Sequence, residues 1–100
     1  MDKGEVRKRS QTPLLRPVLD FAEVWFEKVD RITFHDPLAA TTIFDDSICE
    51  FERGTIGVEL NDVKLLGRTH WTPGGPSPRH EAALSVSPDR FFDHYFSVFS

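Results

Sequence analysis

The stretch RITFHDPLAA, residues 31–40, joins a short alternating segment to an apolar run through the triplet His35-Asp36-Pro37. Alternation of polar and apolar residues over 31–34 is typical of an extended segment. An aspartate before a proline is typical of a helix start, with Asp36 as the N-cap and Pro37 as the first helical residue. The stretch therefore predicts an extended segment that leads into a helix, with His35 at the junction.

The chain on either side predicts further elements at helical or strand periodicity. Upstream, apolar residues fall on one face at helical spacing and predict a helix over residues 17–28; they are Leu14, Val18, Phe21, Ala22, Trp25 and Val29. Downstream, the helix that starts at Asp36-Pro37 is predicted to run to Asp45-Asp46. A strand over 55–60, a turn at Asn61-Asp62 and a return strand over 65–71 are predicted to follow. A loop over 72–80 then leads to a third short strand at Leu84 and Val86 and to a last helix from Ser87-Pro88. The fold class predicted is α/β, with three helices and about three short strands.

The N-terminal residues are polar, whereas the C-terminal residues are rich in aromatic side chains. Residues 1–12 are polar and are predicted to form a flexible N-terminal lead, whereas residues 13–100 are predicted to form one domain. The last helix carries many aromatic residues, at Phe91, Phe92, Tyr95, Phe96 and Phe99. Packing on a sheet is the favoured interpretation of these rings. The alternative is a surface that docks on a partner.

Composition excludes several classes of protein. The net charge is −4, and the basic residues near the start are too few to predict nucleic-acid binding. Cys49 is the only cysteine, so no intrachain disulfide can form. The chain has neither a signal peptide nor an apolar run of the about 20 residues that a membrane span needs. We therefore predict a soluble cytoplasmic protein that binds neither nucleic acid nor membrane.

Two residues of the opening stretch could carry chemistry. His35 has a structural interpretation, as a donor to a nearby carbonyl, and a functional one, as a general acid. Asp36 could cap the helix, bind a hard cation, or do both. One aspartate cannot form a calcium site alone. The other histidines (His70, His80 and His94) and Cys49 show no metal-ligand spacing. The residues alone therefore leave the structural and the functional interpretations of His35 and Asp36 open.

The order of segments adds a resemblance. WFEKVDRITFHDPLAATTIF, CEFERGTIGVEL, GRTHW and HEAALSVSPDRFFDHYFSVF follow one another over about residues 20–99. This order resembles the C-terminal portion of the inosine-uridine-preferring nucleoside hydrolases, in which a helix leads to H-D-P-L-A, a strand ends in V-E, a G-R-T strand follows, and a V-D-x-x-R-F helix closes the chain. The resemblance implies a fragment of a Rossmann-like α/β fold.

The resemblance also implies an activity and roles for two residues. Family members cleave the N-glycosidic bond of purine and pyrimidine ribonucleosides with a bound calcium ion. By position, His35 corresponds to the general acid that protonates the departing base, and Asp36 to one of the calcium ligands. Relatives form dimers and tetramers, so a homo-oligomer is an expected partner alongside the ribonucleoside substrate.

One family motif does not occur in these 100 residues. It is the N-terminal D-x-D-P-G-x-D-D loop, which supplies most metal carboxylates and the base that activates water. We therefore expect this chain to be the last third of a hydrolase and inactive alone. Two alternatives are a non-catalytic interaction module that docks through its aromatic C-terminal helix, and a complementing half that binds the missing N-terminal portion.

Overall fold

The computed structural model describes residues 1–100, which form four α-helices and one three-stranded antiparallel sheet. The prediction of a mixed α/β chain is confirmed, with one helix more than expected. The elements are α1 (Lys3–Arg9), α2 (Arg16–Phe26), α3 (His35–Thr41), a 3-10 turn (Asp46–Ile48), β1 (Cys49–Val58), β2 (Thr69–Pro73), β3 (His80–Val86) and α4 (Pro88–Val98). No helix has the length and apolar composition needed to cross a membrane.

The chain divides into two compact units. A helical unit comprises Met1–Asp46 and Pro88–Ser100, and a sheet unit comprises Ser47–Ser87. Residues 1–12, predicted as a lead, lie within the helical unit, and residues 13–100, predicted as one domain, include parts of both units. The candidate residues His35 and Asp36 belong to the helical unit.

In place of the flexible lead predicted for residues 1–12, the structure has a capped and docked helix. The Asp2 carboxylate accepts the backbone N–H of Glu5 at 3.0 Å and caps α1. Val6 is buried among residues of α2, and Ile32 donates its backbone N–H to the carbonyl of Met1 at 3.0 Å. One buried valine among charged residues gives the sequence no helical periodicity. The position of α1 therefore depends on contacts with residues far along the chain, in α2 and at Ile32.

Acid is expected to loosen α1, because exposed carboxylates hold it in place. The pKa values of Asp2, Glu23 and Asp30 lie below their usual values, owing respectively to the N–H of Glu5 and to hydrogen bonds from Arg7 and Lys3. A lowered folded-state pKa contributes stability that is present above the unfolded pKa, about 3.9–4.3, and is lost as the pH falls through the folded value. The protection factors of the α1 amides, which are exchange rates corrected for the intrinsic effect of pH, should therefore fall below about pH 4.5.

Exchange rates in α4 measured in the same titration provide the control for general acid unfolding. If α1 and α4 lost protection in parallel from neutral pH downward, the carboxylates would not be the cause. High salt should produce part of the same effect at neutral pH, because these pairs are exposed and screened.

Helix α2 supplies most of the core of the helical unit. It begins at Arg16 and ends at Phe26, close to the predicted 17–28, and Pro17 lies in its first turn, where no intrahelical N–H is needed. Leu19, Ala22 and Phe26 form one buried face against Val6. The helix lies close to the predicted residues, but the predicted apolar face is wrong: of its residues only Ala22 is buried, and Leu19 and Phe26 take the place of the others.

The aromatic residues of α4 pack around a single ring from outside the helix. Phe34 has its ring centroid 6.1 Å from Phe91, 5.3 Å from Phe92 and 5.4 Å from Tyr95, mostly in edge-to-face geometry. Packing on a sheet was predicted for these residues; their ring–ring contacts are instead with Phe34 and within α4. The guanidinium of Arg9 lies 4.2 Å from the ring centre of Phe96 and adds a cation–π contact between α1 and α4.

The sheet unit is built on β1 as its central strand, in the order β2-β1-β3. β1 begins at Cys49, six residues before the predicted strand, and pairs antiparallel with both neighbours. β2 begins at Thr69 because residues 63–67 form the turn, with Gly67 in the left-handed region at φ 83°. The first half of β1 was not predicted, because residues 50–53 are largely charged and show no apolar alternation. Pairing with β3 holds this half extended.

Substitution of Gly54 is expected to destabilise the sheet. A Cβ at this position would lie 2.4 Å from the carbonyl oxygen of Thr72 and 2.6 Å from the indole ring of Trp71, which covers the glycine. Gly54→Ala should therefore lower the free energy of unfolding by about 1–3 kcal/mol, measured by urea unfolding. Gly57→Ala is the matched control in the same strand, because a Cβ there meets no atom within 4 Å. Equal urea midpoints for the two variants would contradict this packing.

Candidate functional site

His35 and Asp36 are the first two residues of α3. Phe34 is the N-cap residue, and its carbonyl accepts the first helical N–H, from Leu38, at 3.1 Å. The prediction that Asp36 is the N-cap is therefore wrong: Asp36 lies within the first turn and its side chain makes no capping bond. The helix can begin two residues earlier because Pro37 then occupies a first-turn position whose N–H would have no intrahelical acceptor.

Both candidate side chains face solvent. The imidazole of His35 and the carboxylate of Asp36 are exposed, and neither has a hydrogen-bond or ion-pair partner in the chain. An imidazole that donates to no neighbour is free to give a proton to an external group. A carboxylate with both oxygens open can accept a donor or coordinate a cation. The functional role of this exposed pair stays a prediction.

The backbone that carries the pair is held from both sides. Before it, the Phe34 ring packs against α4, and the Trp25 indole N–H donates to the carbonyl of Arg31 at 3.1 Å. After it, the buried hydroxyl of Thr41 donates to the carbonyl of Pro37 at 2.7 Å. The backbone at the start of α3 is therefore fixed, whereas the two side chains have no supporting hydrogen bond within the chain.

The residues of this chain do not by themselves fit a calcium ion. Calcium takes about 6–8 oxygen ligands. No group of three or more His, Cys, Asp or Glu side chains converges in a way that could hold a metal ion. Asp36 can contribute one ligand, and Asp46 begins the 3-10 turn away from α3 in the sequence. A complete site needs carboxylates that this sequence does not place beside Asp36.

The other candidate side chains have structural positions. His80 lies at the start of β3, and its Nδ1 accepts the backbone N–H of Ile56 at 3.1 Å, a role that the sequence did not reveal. His70 is exposed on β2, and His94 is half-buried on α4. The Cys49 thiol is buried and free at the start of β1.

A shallow apolar hollow lies between α3 and α4. Its volume is about 190 Å³, and the residues that line it are Pro37, Ala40, Thr41, Phe44, His94, Tyr95, Val98 and Phe99. Burial in this aromatic surrounding raises the pKa of the Tyr95 hydroxyl. The hollow is smaller than the about 300–1,000 Å³ of ordinary ligand sites, so it does not serve as a nucleoside pocket.

The buried face of α2 was not predicted. Apart from Ala22, the residues predicted to form the apolar face of this helix are exposed, and Leu15, Leu19 and Phe26 are buried instead.

No family model matches this sequence, and no curated protein matches it. The functional assignment accordingly depends on the geometry of the HDP segment and on the order of the surrounding elements.

Proposed function

We propose that this chain is the C-terminal portion of a nucleoside hydrolase with a Rossmann-like fold. In the complete enzyme, His35 is the general acid that protonates the departing base, and Asp36 is one oxygen ligand of the calcium ion. The observation that carries the proposal is the adjacent, exposed and unpartnered pair of side chains at the start of α3. Neither side chain makes a hydrogen bond or ion pair within the chain, so both are open to an external ligand.

The order of elements supports the proposal. α2 leads to the HDPLA helix α3, β1 ends at Val58 directly before Glu59, Gly67-Arg68-Thr69 leads into β2, and α4 closes the chain. Rossmann-like sheets are mostly parallel, whereas these three strands are antiparallel. In the proposed enzyme the three strands therefore form an antiparallel addition, as occurs in many α/β folds, and the parallel strands belong to the remaining polypeptide.

The chemistry requires an acid at the position that His35 would occupy. Cleavage of the bond between C1′ and the base nitrogen leaves positive charge on the sugar, and the electron pair stays on the nitrogen. Transfer of a proton from the His35 imidazolium to the base neutralises the charge on the base nitrogen. Water then adds to C1′ and loses one proton, and uptake of a proton from solvent restores the imidazolium. A positioned acid of this kind typically contributes about 10²–10⁴-fold.

The purified chain alone is expected to have no hydrolase activity, because it contains one metal ligand and no base placed to activate water. The measurement is release of hypoxanthine from inosine and of uracil from uridine, with and without calcium. Calcium titration by calorimetry should likewise show no tight stoichiometric binding. Calcium-dependent turnover that disappears in His35→Ala would show that the chain holds a complete site.

A chimaeric enzyme tests the proposal directly. Residues 20–99 would replace the C-terminal portion of a characterised nucleoside hydrolase, and inosine hydrolysis would be measured. We expect activity that depends on both His35 and Asp36 and not on His70, which is exposed on β2. A well-folded chimaera that binds nucleoside but is indifferent to His35 would contradict the assigned role.

A second candidate function is that of an interaction module. The favouring observation is the set of exposed apolar side chains, which is larger on α2 than on the aromatic helix α4, where Phe91 is buried and the other rings are half-buried. In this alternative, or in that of a complementing half, partner binding should survive His35→Ala together with Asp36→Ala. The hydrolase proposal requires that this double change abolish function.

A further inference from the structure

The hollow between α3 and α4 is lined by aromatic rings from two segments of the chain. Tyr95 on α4 and Phe99 directly after it line the hollow, with ring centroids 5.1 Å apart and an interplanar angle of 59°. Phe44, in the turn that follows α3, lines it from the second segment and makes no ring contact within the chain. A group that enters the hollow therefore meets rings from both segments.

The rest of the lining offers little to a ligand that needs hydrogen bonds. The side chains of Pro37 and Ala40 are aliphatic, and the hydroxyl of Thr41 already donates to the carbonyl of Pro37 at 2.7 Å. Further polar side-chain atoms in the lining belong to His94 and Tyr95. Because a polar group that is buried without a hydrogen-bond partner is destabilised, this lining favours a ligand group whose surface is made of carbon and hydrogen.

The charge around the hollow is negative. The two segments that supply its lining, residues 35–46 and 91–100, contain no lysine or arginine but four aspartates: Asp36, Asp45, Asp46 and Asp93. Arg9 of α1 approaches α4 at Asp93, at 3.7 Å, and at the ring of Phe96, which does not line the hollow. The lining itself therefore includes no lysine or arginine that would repel a cation.

Both helices end at the hollow. α3 ends at Thr41 and α4 ends at Val98, and both of these residues line it. The last carbonyl groups of a helix have no N–H partner within the helix, and they carry the negative end of the helix dipole. An apolar surface in a negative potential suits a cation that has no N–H group to donate.

We propose that this hollow binds the trimethylammonium group of a small quaternary ammonium compound such as choline. The methyl groups pack against the rings of Phe44, Tyr95 and Phe99, and the ring faces stabilise the positive charge. The hollow has a volume of about 190 Å³. A cavity of about 150 Å³ holds one benzene molecule, and a trimethylammonium group is no larger than benzene.

Titration of the full-length chain, followed by NMR, tests the charge and the methyl groups of the ligand separately. Choline should bind with a Kd on the order of 1 mM, and its methyl protons should show NOEs to the ring protons of Tyr95 and Phe99. The alcohol in which a carbon replaces the nitrogen of choline keeps the shape without the charge. Ethanolamine keeps a charge without the methyl groups. Each should bind at least about tenfold more weakly than choline, and potassium chloride at the same ionic strength is the blank.

Substitutions in the lining test the position of the site. Phe44→Leu and Phe99→Leu should each weaken choline binding about two- to fivefold, because one ring is lost while an apolar side chain is kept. Phe21→Leu is the matched control and should leave the affinity unchanged, since Phe21 is 81% exposed, Phe44 is 79% exposed, and Phe21 lies on α2 outside the hollow. Val98 is exposed, so Val98→Lys and Val98→Gln should both fold. The lysine should abolish choline binding by repulsion, whereas the glutamine should retain most of it.

Three results would overturn the proposal. One is equal affinity for choline and for its carbon analogue, which would show that the hollow is only an apolar surface. The others are the absence of any shift at about 50 mM choline and choline binding that is unchanged in Val98→Lys. The hollow includes neither His35 nor Asp36, so each of these results leaves the proposed hydrolase function unaffected.

Discussion

Replacement of His35 by alanine in an active chimaera that carries residues 20–99 is expected to lower kcat for inosine by about 10²–10⁴-fold. The departing hypoxanthine carries the electron pair of the broken bond and leaves slowly unless a proton arrives. The imidazole of His35 is exposed at the start of α3 and makes no bond inside the chain, so its removal should not alter the fold. The loss should therefore appear in turnover and not in stability.

The leaving group provides the control for this effect. A 4-nitrophenyl riboside releases a phenolate that is stable without a proton, so His35→Ala should hydrolyse it at nearly the wild-type rate. Replacement of His70 or of His94 by alanine should leave the hydrolysis rates of both substrates unchanged, because His70 lies on β2 and His94 on α4. Equal losses for inosine and for the nitrophenyl substrate would assign His35 to sugar binding or to positioning, and would remove the general-acid role.

Replacement of Phe91 by alanine is expected to have the largest effect on stability. Phe91 is 3% exposed, and its ring centroid lies 6.1 Å from that of Phe34 and 4.9 Å from that of Phe92. Loss of a buried phenylalanine typically costs about 3–5 kcal/mol, through lost burial and the cavity that remains. A domain of this size has only about 5–15 kcal/mol in total, so the helical unit should be largely destabilised.

Urea unfolding followed by circular dichroism measures this effect, with Phe44→Ala as the matched control. Phe44 is 79% exposed, so its truncation should change the free energy of unfolding by no more than about 0.5 kcal/mol. Because Phe91 also contacts Phe34, the residue before His35, the same substitution should broaden the NMR signals of the His35 ring. A midpoint similar to that of Phe44→Ala would show that the aromatic cluster contributes little to stability.

The elements that sequence predicted well are those with strong local signals. α2 and α4 combine apolar periodicity with a proline near their first turn, and α3 follows from the His35-Asp36-Pro37 triplet. The position of the candidate pair was predictable for the same reason, since two adjacent residues at a helix start remain adjacent in any fold. The cap was not predictable to the residue, because Pro37 is tolerated at more than one first-turn position.

The elements that sequence did not predict depend on distant contacts. α1 is held by one buried side chain, Val6, and by pairing between residues 2 and 31, neither of which leaves a periodic pattern. The first half of β1 is extended because β3 pairs with it, although its residues are largely charged. Likewise, the apolar spacing of α2 could not show that its residues divide into a core face and an outer face.

By itself, then, the sequence determined where most helices lie, that His35 and Asp36 occupy one helix start, and that carboxylates sufficient for calcium are not provided nearby in the chain. These properties depend on backbone preference and on adjacency, which act over a few residues. Tertiary structure alone decided that both side chains face solvent without partners, that Phe34 is anchored among the rings of α4, and that α2 exposes a second apolar face. The burial of a side chain depends on which segments pack together, and that packing involves residues far apart in the chain.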